Sequence, residues 1–142
     1  MFDTNIFNRI LDGSCDLQVS DDIVLYATHV QLDEIRATKN IQRRIDLEKL
    51  FTEILNEQLP TQSFVLDISR LDEARLGNGE IYNQILNLLN QRNKRKANNV
   101  QDALIGETAL ANDLILVTED SDLRNVIAGL GGSVCTLREM SG

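Results

Sequence analysis

The 142-residue sequence has no tryptophan, one proline (Pro60), one histidine (His29) and two cysteines (Cys15 and Cys135). Each scarcity excludes something. A lone histidine and two cysteines far apart, in no CxxC arrangement, lack the ligand spacing of a zinc site. The thiols are expected to pack as small apolar groups. Ser-His-Asp or Cys-His catalysis would have to rest on His29 alone. No Pro- or Ser-rich linker, repeat or low-complexity tract divides the chain, so a single domain over residues 1–142 is expected, of a size that buries a core without staples. No apolar run approaches the length of a membrane span. Met1 leads straight into polar Asp3-Thr4-Asn5 rather than into a basic and then apolar leader. No membrane partner is expected, and a cytoplasmic location follows by default.

Positive charge is also in short supply: 14 Lys and Arg stand against 22 Asp and Glu, for a net charge of -8. A general nucleic-acid binder normally offers a cationic face. An enzyme whose carboxylates bind divalent cations escapes that objection, because the ions reverse the local sign of an acidic pocket. The distribution of charge therefore matters more than its sum.

Apolar runs of strand length occur at Ile23-Val24-Leu25-Tyr26-Ala27, Phe64-Val65-Leu66, Leu114-Ile115-Leu116-Val117 and Val134-Cys135-Thr136-Leu137. They are uninterrupted rather than alternating, as suits strands covered on both faces. Helical spacing lies between them: Leu47, Leu50, Phe51 and Ile54; Ile81, Ile85, Leu88 and Leu89; and a third helix from about Val100 to Ala111. The tail reads as strand, polar turn, helix to Leu130, Gly131-Gly132 and strand, a βαβ pattern with the glycines as the helix stop. The expected architecture is a three-layer α/β/α sandwich around a central, mainly parallel sheet. In such folds ligands bind beyond the carboxyl ends of the strands.

Four acidic segments fall near those ends. Asp3 opens Asp3-Thr4-Asn5, which on its own is an ordinary helix N-cap. Glu34 lies about two turns into a helix that starts near Thr28. Asp102 sits in the first turn of an otherwise apolar helix, a position the helix dipole favours whether or not anything binds. The segment Thr118-Glu119-Asp120-Ser121-Asp122-Leu123 packs three acids directly after a strand, more than capping needs, and such crowding invites a cation.

In this order and spacing, the four segments resemble the PIN domain, specifically the small VapC-like toxins. The resemblance spans nearly the whole chain and implies a metal-dependent endoribonuclease. Asp3, Glu34, Asp102 and Asp120 would be its catalytic, metal-binding acids, and Asp122 an additional acid at the rim. Asn5 and Thr118 would orient the carboxylates. Hard Mg²⁺ or Mn²⁺ ions suit such oxygen ligands and explain acids without histidines. RNA is the implied substrate, an antitoxin protein the implied partner, and a homodimer is open through the helices at 47–55 and 81–89. Only Met1 and Phe2 precede Asp3, where the family usually has a longer apolar strand, and Leu123 stands where an aromatic is common. The alternative is a PIN-like protein that binds RNA or a partner without cutting.

The densest basic run, Arg92-Asn93-Lys94-Arg95-Lys96, immediately precedes the Asp102 segment. It reads either as a solvated helix end or as a phosphate-guiding patch, with Arg92, Lys94, Arg95 and Lys96 as substrate-binding residues. Arg36, Arg43 and Arg44 follow Glu34 and are expected to be exposed, available to an acidic partner peptide. Two rival acidic-pocket classes fit poorly. A phosphoryl-accepting receiver domain needs a lysine near its last strand, and none follows Lys96. A haloacid-dehalogenase-like phosphatase needs Asp where Asn5 stands.

Overall fold

Helix dominates the structure, a computed structural model that describes residues 1–13, 22–62 and 79–141. Among the described residues there are seven helices: α1 (Thr4–Leu11), α2 (His29–Arg36), α3 (Ile41–Ile54), α4 (Glu80–Asn93), α5 (Asn99–Ala111), α6 (Ser121–Gly129) and α7 (Leu137–Met140). The strands are very short. β1 (Tyr26–Ala27) pairs in parallel with β2 (Glu57–Gln58), and β3 (Ile115–Val117) pairs in parallel with β4 (Ser133–Cys135). This overturns the expected sandwich: two small two-stranded sheets stand where one central parallel sheet was anticipated.

The reasons are local. In the run 23–27 only Tyr26 and Ala27 enter a ladder. Before them, the Leu25 carbonyl still accepts from the Asn56 and Glu57 N–H groups, but its N–H donates 2.6 Å to the Asn56 side-chain oxygen, and the ladder goes no further back. The run 134–137 stops at Cys135, because Thr136 opens a capping box with Glu139 and turns the chain into α7. The run 64–66 lies outside the described residues. At the start of the chain, Asp3 already caps α1, leaving room for a single parallel bridge between Phe2 and Val117. The Asp3 N–H donates to the Val117 carbonyl and the Val117 N–H to the Met1 carbonyl, both at 2.9 Å. β3 is thereby bracketed by the chain start on one side and β4 on the other.

Two apolar clusters form the core. One gathers Ile85, Leu89, Leu104, Ile105, Leu116 and Ile127 around α4, α5, α6 and β3. The other gathers Phe2, Ile6, Phe7, Ile35, Leu47 and Phe51 around α1, α2 and α3, with the Phe7 and Phe51 rings 5.3 Å apart. The expected stripe on α4 is narrower than its spacing suggests: Ile85 and Leu89 are buried, whereas Ile81 and Leu88 are 41% and 37% exposed. α5 is the central helix and is buried from Asp102 through Ala109, as its apolarity on all sides requires. It also completes α4. Gly79, at the N-cap of α4, has no side chain to cap with, and the Glu107 carboxylate of α5 accepts from the Tyr82 N–H at 3.0 Å instead. No described helix is long and apolar enough to cross a membrane.

Candidate functional site

Asp3 is where the chain start meets the end of β3. Its extended backbone (φ -67°, ψ 155°) makes it the N-cap of α1, and Oδ1 accepts from the Thr4 N–H at 2.7 Å. Oδ2 accepts from the Thr118 hydroxyl at 2.6 Å and from Asn5 Nδ2 at 2.8 Å. Thr118 Oγ1 in turn accepts from the Asp120 N–H at 3.1 Å, and the Glu119 N–H donates 3.3 Å to Asn5 Oδ1. Asn5 and Thr118 thus do orient a carboxylate, and Thr118 links two acids distant in sequence. Arg124 Nη1 donates 2.9 Å to the Thr118 carbonyl and holds that turn.

Glu34 comes from α2, whose entry is set by a Thr28–Gln31 capping box. Gln31 Nε2 donates 3.1 Å to the Phe2 carbonyl, which ties this helix to the chain start. The Thr4 hydroxyl donates to Glu34 Oε2. Asp102 is carried by the first turn of α5, 3% exposed, with Asn98 Nδ2 at 3.3 Å from its Oδ2. Asp120 caps α6 through Oδ1, which accepts from the Asp122 and Leu123 N–H groups at 2.9 and 3.2 Å. Its Oδ2 lies 3.8 Å from Lys96 Nζ.

Electrostatics shows that these four acids share one locality. Burial, reinforced by the charges of Asp3, Glu34 and Asp120, pushes the Asp102 carboxyl up to about 8, with Lys96 opposing. Glu34 is pushed up to about 7 by burial and by Asp3, against its hydrogen bond from Thr4. Burial also raises Asp3, with the charge of Asp120 adding to it and the Thr118, Thr4 and Asn5 hydrogen bonds opposing. Burial first, and neighbouring carboxylates after it, disfavour the ionised forms of these acids, and their donors are all hard oxygens, the set that suits Mg²⁺ or Mn²⁺. As placed, however, no three His, Cys, Asp or Glu side chains among the described residues are grouped closely enough to hold one ion. Asp3 and Asp120 serve as helix caps, Glu34 accepts from the Thr4 hydroxyl and Asp102 from the Asn98 amide.

Asp122 contributes its N–H to the α6 cap, and its carboxylate is not among the charges acting on Asp3, Glu34 or Asp102. In the basic run, Lys96 alone reaches an acid of the cluster among the described ion pairs, while Arg92, Lys94 and Arg95 are exposed. Arg43 is committed elsewhere, 2.8 Å from Asp12, and Arg36 pairs with Glu48 at 3.6 Å. Sequence reasoning missed Thr4 and Asn98. Thr4 had a signal, being the hydroxyl next to Asp3 in the first turn of α1; Asn98 had only its place four residues before Asp102. A cavity of about 550 Å³ lies elsewhere, between Ile23–Tyr26 and the β3–β4 sheet, and none of the four acids lines it. Compared with family models, curated proteins and solved structures, the chain matches none.

Proposed function

We propose that this chain is a divalent-metal-dependent endoribonuclease of the VapC-like kind, with Asp3, Glu34, Asp102 and Asp120 as the residues that hold Mg²⁺ or Mn²⁺. The observation that carries the reading is the convergence on buried Asp102, a carboxyl raised first by burial and then by the charges of Asp3, Glu34 and Asp120, which come from three other elements. Capping accounts for Asp3 and Asp120, but burying Asp102 beside three further acids disfavours its ionised form and calls for a compensating cation. When bound, the ion would neutralise phosphate oxygens and activate water for hydrolysis of the phosphodiester. The Asp3 carboxylate is held by Thr4, Asn5 and Thr118, and that of Glu34 by the Thr4 hydroxyl. Arg92, Lys94 and Arg95 would guide the RNA backbone from their exposed turn. An antitoxin partner belongs to the same proposal and rests on the sequence resemblance.

A second reading, RNA or partner binding without cleavage, is favoured by one observation: no three of the carboxylates are grouped around a common point. The same experiment separates the two. Purified protein is incubated with structured and unstructured RNA in Mn²⁺, beside an Asp102→Asn variant. Cleavage by the parent chain that is lost in the variant supports the nuclease. Equal cleavage in both overturns it as stated, and RNA binding without cleavage in either supports the second reading.

A further inference from the structure

The cavity between Ile23–Tyr26 and the β3–β4 sheet has strand edges for two of its walls. On one side, the Leu25 carbonyl accepts from the Asn56 and Glu57 N–H groups, and the Ala27 carbonyl from the Leu59 N–H. Backbone groups of an extended chain alternate in direction, so Val24 and Tyr26 present theirs away from β2, towards the cavity. On the other side, β3 turns Ile115 and Val117 towards the chain start. The Val117 N–H donates to the Met1 carbonyl, the Val117 carbonyl accepts from the Asp3 N–H, and the Met1 amino group donates 2.8 Å to the Ile115 carbonyl. The Ile115 N–H comes next along this edge, and among the described residues nothing pairs with it. Met1 and Phe2 fill the near end of the space between the two edges: Phe2 bridges to Val117 and clusters with Leu25 and Ala27. Beyond Met1 the same space continues as the cavity, with the side chains of Val24 and Ile115 exposed along it.

We infer that this cavity is a docking slot for one extended strand, supplied by the apolar carboxyl-terminal tail of a partner protein. A strand laid there joins β2–β1 to β3–β4 in one sheet, through the backbone groups of Val24, Tyr26 and Ile115. The pairings around the slot are all parallel, so a guest running the same way arrives at Met1 with its carboxyl end. An internal segment would have to bend away there, whereas a tail ends. Burial pushes the Met1 amino group down to about 6, and a terminal carboxylate beside it would supply the missing counter-charge. The Glu139 carboxylate, also on the wall, is turned into the α7 capping box. A second copy of this chain is a poor guest, because each carries a net charge of -8. None of the four acids lines the slot, so the inference stands apart from the nuclease reading.

The test uses fluorescence anisotropy with a labelled peptide of about five valine and isoleucine residues, a common strand length, with lysines at its amino end for solubility and a free carboxyl end. The parent chain should bind it. A carboxamide version should bind about three- to tenfold more weakly, and a version with a central proline, which lacks the N–H that a ladder needs, should not bind. Ile115→Glu and Val24→Glu, at exposed positions that do not endanger folding, should each weaken binding about tenfold or more. Hydrogen exchange at the Ile115 amide, followed by NMR, should slow when the peptide is present. No peptide binding by the parent, equal binding of the carboxamide or proline version, or unchanged exchange at Ile115 would each overturn the inference. So would a parent dimer, seen by sedimentation, that Ile115→Glu dissociates, since a second copy would then fill the slot.

Discussion

At the residue scale, Asp102 carries the sharpest consequence. Its carboxyl ionises near 3.8 in the unfolded chain and near 8 in the folded one; for Glu34 the corresponding values are 4.5 and about 7. A carboxyl with a raised folded value holds its proton more tightly in the native state. Its contribution to stability is therefore complete below its unfolded value and is lost as pH rises through the folded one. In EDTA the protein should lose thermal stability between about pH 5 and pH 8, as Asp102 and Glu34 ionise against Asp3 and Asp120 with only Lys96 in compensation. Asp102→Asn removes one of these charges and should be more stable than the parent at pH 8 by about 1–3 kcal/mol, the gap closing towards pH 4. Thermal melts of both chains across this range decide the matter, and a destabilised variant at pH 8 would count against it. Of these residues, the sequence made Asp120 legible on physical grounds, since clustered acids at a strand end need a reason. Asp3, Glu34 and Asp102 each pass for caps or solvated acids, and Asp3 and Asp120 are indeed caps as well.

At the element scale, α5 does three things at once. It fills the core, delivers Asp102, and caps α4 through Glu107. The cap is worth testing because Gly79 cannot provide one. Glu107→Ala should lower stability by about 1–2 kcal/mol, through the lost acceptor for Tyr82 N–H and the lost negative charge at the start of α4. A urea midpoint equal to that of the parent chain would remove Glu107 from this role. Helices were the readable elements here: the expected 100–111 is observed at Asn99–Ala111, and the apolar spacing around Leu47 and Phe51 marks the buried side of α3. Strands were overread: Val24 and Ile115 within those runs are 53% and 57% exposed, so an uninterrupted apolar run guaranteed neither cover on both faces nor a long ladder. Leu25 pairs by its carbonyl alone, accepting from the Asn56 and Glu57 N–H groups, while its own N–H goes to the Asn56 side chain. The Thr136-x-x-Glu139 capping box, visible in the sequence, should have ended the last strand at Cys135.

At the scale of the whole molecule, a net charge of -8 coexists with one exposed basic turn. Replacing Arg92, Lys94 and Arg95 together with Gln should weaken single-stranded RNA binding and flatten its salt dependence by about 2 in log–log slope, if all three meet phosphates. An unchanged slope from binding titrations would return that turn to a solvated helix end. The strand arrangement was the least legible feature, because the contact that ties the chain start to β3 lies between residues far apart in sequence. The Phe2–Val117 bridge joins residues from opposite ends of the sequence, and Thr118 reaches back 115 positions to Asp3. Contacts of such long range are the slowest to form, because loop closure must precede their reward. Asp3 is thus held by partners of different reach: Thr4 and Asn5 bind its carboxylate from the next turn, whereas the Thr118 hydroxyl becomes available only once the distant β3 has docked.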